Sequence, residues 1–169
     1  HESNNRFVNT ALTMSGTGDM RDTSVSSGYT GASGVDNVML NAANEYFIIS
    51  GIDSTGCSNM EVSFGIRKNT NAEDGSTMAV EASTNGTDWV SCGSLSLPTG
   101  ENGWYYRTLD VPDSMAGANL RIRFTSTSTV EFRIDDVSLT GDQGSATYVS
   151  GYENLDVDNV TTYPVTGLG

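Results

Sequence analysis

The chain has one histidine, His1, at its first position, and one lysine, Lys68. With no other histidine to act as base, a serine or cysteine nucleophile activated by imidazole is excluded, and zinc hydrolysis lacks its ligands. Cysteine is almost as scarce: Cys57 and Cys92 stand in no Cys-x-x-Cys and no zinc spacing. A bridge between them and two free thiols are both open. No apolar run approaches the ~20 residues that a membrane-spanning helix requires, so membrane insertion is not expected. No leader pattern opens the chain, which reads as mature. Basic residues number eight against 21 acidic ones, a net charge of −13. That balance argues against nucleic acid or an anionic membrane surface as partner, because both require a basic patch. It suits an extracellular protein, secreted or on the cell surface, and it suits cation binding.

Helix-favouring runs are also missing. In their place stand 19 glycines with many Ser, Thr and Asn, the composition of short strands and frequent turns. Met60, Val62, Phe64 and Ile66 alternate with Glu61, Ser63 and Arg67, which gives one apolar and one polar face. The same period runs through Met78, Val80 and Ala82, and through Leu120, Ile122 and Phe124. Val38 with Leu40, Tyr46 to Ile49, Trp89 to Cys92 and Trp104 to Pro112 supply further strands, and Ala11, Leu12 and Met14, with Phe7 and Val8, a possible first one. Asn85-Gly86 signals a hairpin, since both residues tolerate positive φ. Eight or nine short strands, each with one apolar face, predict an all-β fold: a two-sheet antiparallel β-sandwich of the jelly-roll kind with very little helix. A chain of 169 residues fits one such domain over 1–141 and an appendage over 142–169.

The stretch Val130 to Gly141 carries the sharpest signal. Val130, Phe132 and Ile134 share one face; continued alternation would then bury Asp136 and expose Val137 and Leu139. Burying an unpaired carboxylate costs several kcal/mol, so a β-bulge at Asp135-Asp136 is expected, returning Val137 and Leu139 to the core. The bulge leaves two carboxylates side by side. A hard cation with oxygen ligands, such as calcium, relieves their repulsion, and a solvated acidic bend is the alternative.

Phe132-Arg133-Ile134-Asp135-Asp136-Val137-Ser138-Leu139 resembles the closing strand of jelly-roll carbohydrate-binding modules of the galactose-binding-like superfamily. It is equally similar to the adhesin-type jelly rolls of Bacteroidetes surface proteins. The pattern extends over roughly residues 25–141. The resemblance implies a non-catalytic module with a structural calcium held by Asp135, Asp136 and acids of the N-terminal stretch, for which Glu2, Asp19 and Asp22 are the candidates. It also implies backbone carbonyls from the glycine-rich stretch 25–36 near the metal.

Sugar rings stack on aromatic faces, so Trp104, Tyr105, Tyr106, Trp89 and Tyr29 are the candidate ligand-binding residues. Alternation puts Trp104 and Tyr106 on one face and Tyr105 on the other, so only one side of the trio can meet a ligand. Arg67 and Arg133 sit on outward strand positions; they serve either in surface ion pairs with Glu61, Glu81 and Glu131 or as guanidinium contacts to a ligand. Paired carboxylates for glycoside hydrolysis are arithmetically available, but most acids lie in polar turns unsuited to a general acid, so no enzyme is expected. The sequence therefore predicts an extracellular carbohydrate-binding module; the other reading is a structural or adhesive domain of a cell-surface protein or filament. Residues 146–168 resemble the later strands of a fibronectin type III domain; the segment is either an added hairpin on the jelly roll, a fragment of a neighbouring domain, or an unpaired strand pair that contacts a neighbouring domain or subunit.

Overall fold

The computed structural model describes residues 11–144. Glu2, the Phe7-Val8 pair and the fibronectin-like segment from residue 145 onward lie outside the described residues. Ten strands form two five-stranded sheets in which every paired neighbour is antiparallel. The first sheet orders β1 (Thr13–Gly16), β4 (Tyr46–Ile52), β9 (Leu120–Ser126), β6 (Met78–Ser83) and β7 (Val90–Ser91). The second orders β2 (Asp19–Arg21), β3 (Asn37–Leu40), β10 (Phe132–Gln143), β5 (Cys57–Lys68) and β8 (Gly103–Val111). Helix among the described residues is limited to a short 3-10 turn at Asp113–Met115. The expected jelly-roll sandwich is what the chain forms.

The period-2 pattern explains why the sheets stack. Met60, Val62, Phe64 and Ile66 of β5 face Val80, Ala82, Ile122 and Phe124 of the other sheet, all of them buried. Phe64 meets Phe124 edge-on at 4.9 Å between ring centroids, and Phe47 packs on Phe124 at 6.3 Å. Such ring pairs add to the area term.

The bulge stands where the broken alternation requires it. Asp135 is opposite Gly65 and Ser138 opposite Ser63, so β10 carries one extra residue over that interval. Asp136 takes φ +51°, and Val137 and Leu139 pack against the core. β10 continues to Gln143, two residues beyond Gly141.

Three features add to the sequence expectation. β2 was not foreseen, because three residues are too few to show a period. The hairpin expected at Asn85-Gly86 forms, β7 returning antiparallel to β6, but its loop is longer than two residues: Ala82 pairs with Val90, and Asn85 uses its side-chain Oδ1 to accept from the Thr87 and Asp88 amides. Lys68 is fully buried at the inward end of β5. Its ammonium donates to the carbonyls of Glu73 (2.6 Å) and Pro98 (2.5 Å) and lies 5.8 Å from the centre of the Tyr105 ring. The cysteines are both free, Cys57 half-buried and Cys92 buried; burial raises the Cys92 thiol to about 11.

Candidate functional site

The outer face of the second sheet is built in rows. Trp104 of β8, Arg67 of β5 and Arg133 of β10 stand level; the next row is Tyr106, Gly65 and Asp135, and the next Thr108, Ser63 and Ser138. Tyr105 is opposite Ile66, on the core side, with the Arg107 guanidinium 5.4 Å from its ring centre. So the expected split of the aromatic trio holds, and Tyr105 is not on the outer face.

The connection between β2 and β3, residues 22–36, lies over this face and delivers Tyr29 to it. Its ring centroid is 5.5 Å from that of Tyr106 and 6.4 Å from that of Trp104. Tyr29 covers Gly65, where a Cβ would overlap its hydroxyl and stand 2.6 Å from its Cζ. The Tyr29 hydroxyl donates to Asp136 Oδ2 at 2.5 Å. Trp104 Nε1 donates to the Ser24 carbonyl at 3.0 Å, and Arg133 donates to the Thr23 carbonyl. Three rings thus share one face, with Tyr106 43 % exposed at its open side. Beside them the Ser63 and Thr108 hydroxyls bond each other at 2.8 Å.

The guanidiniums are already engaged. Arg67 and Arg133 both meet Glu131 Oε1, at 3.3 and 2.9 Å, and Arg133 is almost wholly covered. In the structure both guanidiniums are ion-paired. Trp89 is on the opposite side of the molecule: Arg123 lies 4.0 Å from its ring centre and is itself held by Glu81 at 2.8 Å. The structure does not bring Trp89 to the other aromatics.

Asp135 and Asp136 sit at the far edge of the aromatic face. Asp135 accepts from the Ser33 hydroxyl at 3.2 Å and the Asp136 amide at 2.8 Å; Asp136 also accepts from the Ser33 amide at 3.2 Å. Burial pushes the Asp135 carboxyl above its ordinary range, with its hydrogen bonds acting in the opposite sense. Burial, then the bond to Asp136, holds the Tyr29 phenol above the usual tyrosine range. Among the described residues, the ion pairs involve Asp19, Glu81 and Glu131, and none reaches Asp135 or Asp136. Asp19 lies level with Arg133, two strands across, and is paired with Arg21 at 2.8 Å. The described residues hold no group of three His, Cys, Asp or Glu side chains suited to a metal. What fits a calcium is therefore a pair of adjacent carboxylates with no basic partner among the described residues, a partial set for an ion that takes six to eight oxygens.

The same two carboxylates border a cleft of about 860 Å³ between the sheets, lined by Met14, Met20, Ile52 and Leu139. Trp104, Tyr106 and Tyr29 are not part of it. Its walls are mainly apolar side chains of the sandwich interior, whereas a hydroxyl-rich ligand needs rings flanked by donors and acceptors, which the open face provides. The residue that sequence reasoning missed is Gly65. A glycine inside a strand on its outward side marks a place where something else approaches the backbone, and that signal was there to be read.

No protein-family model matches the chain, and no curated protein matches its sequence. Solved structures do. CBM35 from Paenibacillus barcinonensis is similar at a TM-score of 0.51 and 22 % identity, over 79 % of this chain and 94 % of that one. The K1 cleaved adhesin domain of Lys-gingipain from Porphyromonas gingivalis W83 gives 0.51 and 14 %, over 80 % and 93 %. A glycoside hydrolase family 43 arabinoxylan arabinofuranohydrolase from Bacillus subtilis, in complex with cellotetraose, gives 0.53 and 13 %, over 78 % of this chain but 28 % of the enzyme. At these identities the likeness is one of fold, and the fold is that of jelly-roll carbohydrate-binding modules and adhesin domains.

Proposed function

We propose that this chain is an extracellular, non-catalytic carbohydrate-binding module that holds its ligand across Tyr29, Trp104 and Tyr106. The observation that carries the reading is the convergence of three rings, two from β8 and one from a connection 70-odd positions away in sequence, on one open sheet face. Aromatic faces of this kind stack on the apolar faces of sugar rings. The ligand is a neutral glycan: Arg67 and Arg133 are committed to Glu131, so an acidic sugar meets no free guanidinium here. Asp135 and Asp136 stand side by side at one bulge, bonded to Tyr29 and Ser33, rather than flanking a glycosidic bond as a hydrolase requires. They are the residues that would hold one calcium, with an acid such as Glu2 completing the set. Asp19, paired with Arg21, is left out of that set. A calcium there would supply charge neutralisation and would tie the β10 bulge to the 22–36 connection.

Calorimetric titration with a panel of neutral oligosaccharides, repeated with Trp104→Ala and Tyr106→Ala, tests the reading. Binding that either substitution weakens by about tenfold or more supports it. A parent protein that binds no member of the panel sinks it and favours the structural or adhesive domain.

A further inference from the structure

We infer that Gly65 is a positioning residue of the sugar-binding face, and that Gly65 and the Asp136 carboxylate together seat Tyr29 as its central ring. The inference rests on the glycan reading for its functional meaning, but its geometry stands apart from it. Gly65 points away from the core, so sandwich packing does not require it to be small. Its outward neighbours on β5 are Glu61, Ser63 and Arg67, and a bare glycine in a strand interior weakens the strand. What uses the vacancy is Tyr29, whose ring lies where a Cβ would be.

The seat is fixed from three sides. At its tip, the hydroxyl donates to Asp136 Oδ2 at 2.5 Å, on the extra residue of the bulge. Before it in sequence, Thr23 and Ser24 are tied to Arg133, Asn37 and Trp104. After it, the Ser33 amide donates to the same Asp136 carboxylate. A ring held this way has little freedom to lose when a ligand stacks on it, which is how preorganisation raises affinity. Any side chain at position 65 lifts Tyr29, breaks its bond to Asp136 and separates Trp104 from Tyr106 by a gap. Position 65 thereby decides whether the face is one continuous platform or two isolated rings.

The test is a double-mutant cycle read by titration with the neutral oligosaccharide that binds best in the panel above. Tyr29→Ala is expected to weaken binding about tenfold, the scale of one lost aromatic contact. Gly65→Ala is expected to weaken it to a similar extent, and the double variant to bind no more weakly than Tyr29→Ala alone. Losses that add in the double variant overturn the inference, because Gly65 would then act independently of Tyr29. Tyr29→Phe keeps the ring and the glycine but removes the tether; binding between that of the parent and Tyr29→Ala is expected, and binding equal to the parent overturns the part played by Asp136. A reading without ligand accompanies these: nuclear Overhauser contacts between the Tyr29 and Tyr106 rings should vanish in Gly65→Ala, and their persistence overturns the inference. That measurement decides the positioning role even if the parent protein binds no sugar.

Discussion

Each outer face of the sandwich carries one tryptophan, and their surroundings differ. On the first sheet Trp89 is capped by Arg123, whose guanidinium is held in turn by Glu81, so the ring face is spent on a cation. On the second sheet Trp104 gives only its indole N–H to a backbone carbonyl and leaves its ring among Tyr29 and Tyr106. The same residue type closes one face from the loop just before β7 and opens the other from within β8. What separates them is where the neighbouring guanidinium goes: Arg123 lies over the Trp89 ring, whereas Arg67 and Arg133, level with Trp104, are drawn to Glu131.

The comparison can be broken or sharpened experimentally. The largest effect should come from below both faces. Phe64→Ala removes the ring that joins the sheets through Phe124 and should cost about 3–5 kcal/mol in denaturant unfolding. Both faces should fail together; loss of one alone would mean the sheets are not energetically one unit. Next is calcium. At a free concentration a hundredfold above its Kd, calcium should stabilise the folded state by about 2.7 kcal/mol, and chelation should lower the melting midpoint accordingly. An unchanged midpoint removes calcium from the site.

The two tryptophans then compare directly. Trp104→Ala should weaken oligosaccharide binding by about tenfold or more, the free energy of one good ring contact. Trp89→Ala should leave it unchanged; equal losses would show that the faces are not distinct. Glu81→Gln should cost about 0.2–1 kcal/mol of stability with no effect on sugar affinity, since the pair it breaks is partly exposed. The smallest effect concerns pH. Asp135 has its folded pKa raised, so its protonated form is the one folding favours. That contribution is complete below the ordinary carboxylate range and is lost as pH rises through the elevated folded value. Chelated protein should therefore melt higher at mildly acidic pH than at neutrality, and Asp135→Asn should flatten that dependence. A chelated parent whose midpoint rises monotonically towards neutral pH would show that burial does not dominate at this carboxylate.

The faces also differ in how much the sequence discloses about them. The core of both is local information: Met60 to Ile66 and Leu120 to Phe124 alternate, and the interruption at Asp135-Asp136 reveals the bulge because a buried carboxylate has no partner there. The same period separates Tyr105 from Trp104 and Tyr106. It does not say which of two outward rings is covered, because that depends on register between strands distant in sequence. Arg123 reaches Trp89, and Glu131 draws in Arg67 and Arg133, through pairings that only the assembled sheets define. Tyr29 was legible as a candidate ligand-binding ring, but its place beside Tyr106 and Trp104 was not, since residues 22–36 have no period and are placed by individual bonds to Arg133, Trp104 and Asp136. Lys68 follows the alternation inward against the habit of its residue type; two backbone carbonyls in the adjoining loops make that position tenable.

That lysine has a practical corollary. It is the chain's only ε-amine, and it has no surface in contact with solvent. An acylating reagent can reach it only when the turns around Glu73 and Pro98 come away from β5, so the rate at which this single side chain is modified serves as a built-in clock for local opening of the sandwich.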